Sequence, residues 1–202
     1  MAKKAKTTKK VVAKKTETKK TVTKKAAPKK TPPKKVTKAS VKKTAKESAQ
    51  TMMGTTIGHF SVLNSAGNVY TEKDLNGHKT VLYFYPKDDT PGCTIEAQQF
   101  SDLKSSFDKL NTVILGISKD SSQTHERFIS KFGFKIDLLS DEKEKLCKLF
   151  DVIKMKNMYG RKYLGIERST FVLDENLKVI KEMRKISPDG HAQEVLDFVK
   201  SL

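Results

Sequence analysis

The sequence predicts an α/β fold, a central mixed β-sheet flanked by helices, preceded by a disordered basic tail. Three observations carry this expectation. From about residue 54 onward, short apolar β-rich runs alternate with segments of helical spacing, two late runs lie close enough to form a hairpin, and charge is piled into the first quarter of the 202 residues. Residues 1–50 hold 19 Lys and 2 Glu, whereas the rest of the chain balances 22 Lys and Arg against 21 Asp and Glu. The first fifty residues also lack any aromatic side chain. Such a segment cannot bury enough apolar surface to offset its ordering entropy. The expected division is a Lys-rich tail over 1–53 and one folded domain over 54–202.

Within the folded part, Phe60-Ser61-Val62-Leu63 and Asn68-Val69-Tyr70 are expected to pair as a small hairpin across Ser65-Ala66-Gly67. Residues 79–85 read as a buried strand, because the run is short and aromatic and is stopped by Pro86, which cannot donate to a sheet ladder. A helix follows over 94–110. Cys93, Glu96, Phe100, Leu103, Phe107 and Leu110 recur every three or four residues and share its face. The pattern then gives a strand over 112–118, a helix over 121–132, a short strand at Leu138-Leu139 and a helix over 142–150. Two strands, 169–173 and 178–183, turn at Asp174-Glu175-Asn176, and a helix over 190–201 closes the chain.

Cys93 is the residue with chemistry in its surroundings. It follows the run Val81-Leu82-Tyr83-Phe84-Tyr85 within Pro86-Lys87-Asp88-Asp89-Thr90-Pro91-Gly92-Cys93-Thr94-Ile95-Glu96. Thr90 suits an N-cap and Pro91 the first helical position, which puts Cys93 in the first turn, where free backbone N–H groups and the helix dipole favour a thiolate. Glu96 lies one turn further along the same face and opposes that ionisation, so a cation must reach both groups. Arg168, at the start of the strand read over 169–173, is the candidate, because its planar fork of donors can hold two acceptors together. Plainer readings stand beside these: Thr90 as a cap alone, Arg168 as a surface partner of Glu167, and Arg161 as a solvated residue of a Gly-flanked basic loop.

The segment Tyr83-Phe84-Tyr85-Pro86-Lys87-Asp88-Asp89-Thr90-Pro91-Gly92-Cys93-Thr94 resembles the peroxidatic loop of peroxiredoxins, in which Pro, Thr and Cys stand at the spacing of Pro86, Thr90 and Cys93. The match is similar to the peroxiredoxin Q branch, also called the bacterioferritin comigratory protein group. A second block, from Met158 to Asp174, resembles that branch's arginine-bearing strand and includes Arg168. The resemblance covers about residues 54–202 and implies a thioredoxin-like fold and a thioredoxin-dependent peroxidase acting on hydrogen peroxide and organic hydroperoxides. It implies that Cys93 attacks the peroxide and becomes a sulfenic acid, that the Thr90 hydroxyl bonds the bound peroxide, and that Pro86 shields the pocket. Many members carry a second cysteine five residues after the first; here that position is Gln98. The only other thiol is Cys147, at the edge of the stripe Leu146, Leu149, Phe150 and Ile153. It is either core filling or a resolving residue, and the latter requires Cα atoms within about 7 Å of each other. The favoured expectation is resolution by an external thiol, from thioredoxin, glutaredoxin or a small molecule.

In the tail, Lys-Lys doublets recur every five residues: Lys9 and Lys10, Lys14 and Lys15, Lys19 and Lys20, Lys24 and Lys25, Lys29 and Lys30, Lys34 and Lys35. A period of five does not line one helical face, and Pro28, Pro32 and Pro33 argue further against a helix. The segment resembles linker-histone and bacterial histone-like tails. It suits nonspecific binding of DNA or RNA by counterion release, with no arginine or aromatic side chain to read bases. A solubilising extension and a targeting peptide are the other readings.

Neither an apolar run of about 18 residues nor the apolar stretch of a secretory signal is present, so no membrane partner is expected. Two cysteines and four scattered histidines suit no metal site, and no cofactor is expected. The expected state is a cytoplasmic monomer or weak dimer, nucleoid-associated if the tail binds DNA. A nucleic-acid-binding protein or redox sensor that uses the domain for signalling is the alternative.

Overall fold

The structure, a computed structural model, describes residues 51–158 and 160–202. The expected disordered tail and its lysine doublets lie outside the described residues. In chain order the elements are β1 (Ser61–Asn64), β2 (Val69–Thr71), a 3₁₀ turn (Glu72–Leu75), β3 (Lys79–Phe84), α1 (Pro91–Asp108), β4 (Thr112–Ser118), α2 (Ser122–Phe132), β5 (Asp137–Ser140), α3 (Lys145–Leu149), β6 (Ile153–Met158), β7 (Arg161–Ile166), β8 (Ser169–Leu173), β9 (Val179–Arg184) and α4 (His191–Lys200). Among the described residues, seven strands form one mixed sheet in the order β2-β1-β5-β4-β3-β8-β9, and β6 and β7 form a separate ribbon. The central strands β3, β4 and β5 run parallel, and β8 joins β3 antiparallel.

Alternation along the strands sorts the core into two layers. Val81 and Tyr83 of β3 point into one, with Cys93, Ala97, Phe100 and Phe107 of α1 and Ala192, Val195 and Leu196 of α4. Leu82 and Phe84 point into the other, with Leu146, Cys147 and Phe150. Since neighbouring strand residues face opposite sides, the two layers lie on opposite faces of the sheet. Both faces of β3 are covered, which explains why its sequence is continuously apolar rather than alternating.

Several elements differ from expectation for identifiable reasons. The hairpin at β6 and β7 was not expected, because Lys and Arg interrupt its apolar residues and Ile153 fits the preceding helical stripe. The helix expected over 142–150 shrinks to Lys145–Leu149, since Glu144 sits in the left-handed region at φ 55° and Asp141 Oδ1 and Oδ2 instead accept from the N–H groups of Lys145 and Cys147, both at 2.7 Å. Helix α1 starts at Pro91 behind the Thr90 cap position, where the capping residues put it and three residues ahead of the range 94–110. Gly116 makes room for the Tyr83 phenol: a Cβ there would sit 2.5 Å from the Tyr83 oxygen and 2.6 Å from Leu138 Cδ2. Ahead of the sheet, Thr51 Oγ1 and the Met52 N–H both donate to Glu182 Oε2 at 2.7 Å, tying the start of the described chain to β9.

Candidate active site

The loop from β3 into α1 presents Cys93 in the first helical turn. Thr90 occupies the cap position with extended backbone, and the Thr94 N–H donates to its carbonyl at 2.9 Å. Its hydroxyl caps no N–H and instead donates to the Lys87 carbonyl at 3.1 Å, so both of its lone pairs remain open. Pro86 is exposed at the loop's entry and, lacking an N–H, offers no backbone donor there.

Cys93 is 2% exposed and Glu96 is fully buried beside it on α1. Arg168, just ahead of β8, spans the two: its Nη2 donates to Cys93 Sγ at 3.3 Å, and its Nη1 donates to Glu96 Oε2. The surface pairing of Arg168 with Glu167 is not formed. Gly92 allows this approach, since a Cβ at that position would meet Pro188 Cγ at 3.3 Å and Arg168 Nη2 at 3.4 Å. Burial pushes the Glu96 carboxyl up to about 7, against the opposing pull of the Arg168 guanidinium. Glu96 Oε1 has no partner of its own. His191, bonded to Thr170 Oγ1 at 2.8 Å, is lowered to about 4 by burial and then by the Arg168 charge.

Cys147 lies in the opposite core layer from Cys93, with the sheet between them. Burial, followed by the Asp141 carboxylate, pushes its thiol far up. Arg161 is exposed on β7, as its basic surroundings suggested.

Residues 53–182 match the family model described as the AhpC/TSA family. Over 137 residues the chain is 50% identical to peroxiredoxin Bcp of Xanthomonas campestris, which covers 68% of this chain and 86% of that protein. The chain belongs to the AhpC/TSA family, within the Bcp branch of the peroxiredoxins. Peroxiredoxin Bcp of Bacillus subtilis is 45% identical over 136 residues, 67% of this chain and 87% of that one. Among solved structures, Xylella fastidiosa PrxQ superposes with a TM-score of 0.71 at 40% identity, covering 74% of this chain and 95% of its own. Peroxiredoxin Q of X. campestris gives 0.68 at 48% identity, covering 70% and 90%. These neighbours establish the thioredoxin-like α/β fold. Membership of the branch makes this peroxiredoxin an oxidoreductase that reduces peroxide with a thiol.

One cluster went unnoticed in the sequence. Asp88, Tyr85 and His125 meet under the β3–α1 loop. The signal was available, since His125 falls on the same helical stripe as Phe128 and Phe132, and a polar residue on an apolar stripe needs a buried partner.

Proposed function

We propose that Cys93 is the peroxidatic thiol, that Arg168, Glu96 and Thr90 form its pocket, and that an external thiol completes the cycle. The observation that carries this reading is the Arg168 fork, with one arm on the Cys93 sulfur and the other on Glu96. The guanidinium stabilises a thiolate at a helix start already suited to negative charge. Thiolate sulfur attacks one oxygen of the hydroperoxide and the O–O bond breaks. Cys93 becomes a sulfenic acid, and the other oxygen leaves as alkoxide or hydroxide, which takes a proton to give alcohol or water. The free lone pairs of Thr90 Oγ1 suit the peroxide O–H, and Pro86 closes the pocket to water. The X. campestris relative is described as having alkyl peroxide reduction activity, which supports organic hydroperoxides as substrates alongside hydrogen peroxide.

Resolution falls to an outside dithiol such as thioredoxin or glutaredoxin. One of its sulfurs attacks the Cys93 sulfenic acid with loss of water, and its second thiol displaces Cys93 and restores it. Gln98 in place of a cysteine and the sheet between Cys93 and Cys147 support this route. The Lys-rich tail would bind nucleic acid nonspecifically and keep the peroxidase beside it.

Two measurements test the reading. Stopped-flow peroxide consumption is expected to vanish in Cys93→Ser, and consumption at the wild-type rate would refute the assignment. Intact mass after one equivalent of peroxide is expected to show added oxygen, whereas loss of two hydrogens would assign resolution to Cys147.

A further inference from the structure

Beneath the loop that leads into α1 lies a polar cluster that touches none of the reacting groups. Asp88 is 4% exposed, and both carboxylate oxygens are taken: Oδ1 accepts from the Tyr85 hydroxyl at 2.7 Å and Oδ2 from His125 Nδ1 at 2.8 Å. Its backbone N–H donates to Asp120 Oδ2 at 2.8 Å. Asp120 is fixed in turn by the Ser118 hydroxyl, which donates to the same carboxylate at 2.8 Å. His125 belongs to α2 and is fully buried, with no partner for Nε2.

Placing a carboxylate and an imidazole in an interior costs free energy that well-packed apolar side chains would not. The cluster is therefore better explained by the geometry it fixes than by stability. That geometry is the turn out of β3. Asp89 takes the left-handed region at φ 53°, Thr90 starts the helix, and Cys93 follows five residues after Asp88.

We propose that Asp88 and His125 are positioning residues for Cys93: they clasp the β3–α1 loop to α2 and hold the first turn of α1 with its thiol turned inward beside Arg168. The inference rests on Cys93 being the thiol that attacks peroxide. At 2% exposure Cys93 is within reach of a small peroxide sooner than of a bulky outside thiol, which needs the turn to open. The clasp biases the loop toward the inward arrangement, so loosening it slows attack on peroxide and exposes the sulfur.

Full-length His125→Phe, His125→Asn and Asp88→Ala are compared with wild type well below each protein's melting temperature. The readouts are the rate at which hydrogen peroxide oxidises Cys93 and the rate at which iodoacetamide alkylates it, both followed by peptide mass. His125→Phe and Asp88→Ala are expected to slow oxidation about tenfold or more, the scale set by small displacements of a reacting group, and to speed alkylation. His125→Asn keeps an N–H donor near the position of Nδ1 and is expected to restore both rates to near the wild-type values. The clasp is refuted if the folded Phe and Ala variants keep both wild-type rates, or if Asn is as impaired as Phe. Should His125→Phe fail to fold, the split between slower oxidation and faster alkylation in Asp88→Ala decides. Wild-type protein that leaves Cys93 unoxidised would instead count against the reading of Cys93 itself.

Discussion

Arg168 serves two acceptors at once. The Cys93 sulfur and the Glu96 carboxyl both draw on one guanidinium, and burial already pushes Glu96 up to about 7. Arg168→Lys supplies a point charge in place of a two-armed fork, so peroxide reduction is expected to fall by about 100-fold, the loss typical of a removed transition-state donor. Steady-state kcat/KM checks this. Folding stability carries a second signature. Glu96 binds its proton more tightly folded than unfolded, so its contribution falls as pH rises from about 4.5 through about 7. His191, lowered to about 4, does the reverse: its contribution is full above 6.5 and is lost as pH falls toward 4. The two slopes oppose each other between pH 4.5 and 6.5. Urea unfolding of Glu96→Gln across that window is expected to show stability rising more steeply with pH than in wild type, because the His191 slope is left unopposed.

At the scale of elements, the helix start was readable because Pro91 and Thr90 have fixed preferences there, and β3 was readable because its run is apolar on both faces. The face shared by Cys93, Glu96 and Phe100 followed from spacing alone. What escaped was nonlocal. The β6–β7 ribbon owes its pairing to cross-strand partners such as Met155 with Leu164 and Lys156 with Tyr163, and neither strand alternates cleanly enough to announce itself. The late start of α3 depends on Asp141, which reaches forward from the end of β5. The union of Asp88 with His125 spans 37 residues and left no trace beyond a histidine on an apolar stripe. Packing between strands can be tested at Gly116. Its Ala variant pushes a methyl group into the Tyr83 phenol and Leu138, and a loss of about 1 to 3 kcal/mol is expected from the shift in urea midpoint.

For the whole molecule, the sequence places nearly all its net charge in one segment and its chemistry in another, and the two are separable by experiment. A gel-shift salt titration of the full chain against a version starting at Gly54 is expected to show DNA binding only in the former. If about ten lysines engage phosphates, the plot of log affinity against log salt has a slope near −9. Equal affinity in both proteins would remove the tethering role.

The sheet that parts the two cysteines also sets how this protein behaves when reductant runs out. If Cys93 is the oxidised sulfur and has no inner partner, as proposed above, each molecule takes up one peroxide and then waits, so throughput becomes a property of the surrounding thiol pool. Starved of that pool, such a protein would keep a record of past exposure, to be erased from outside.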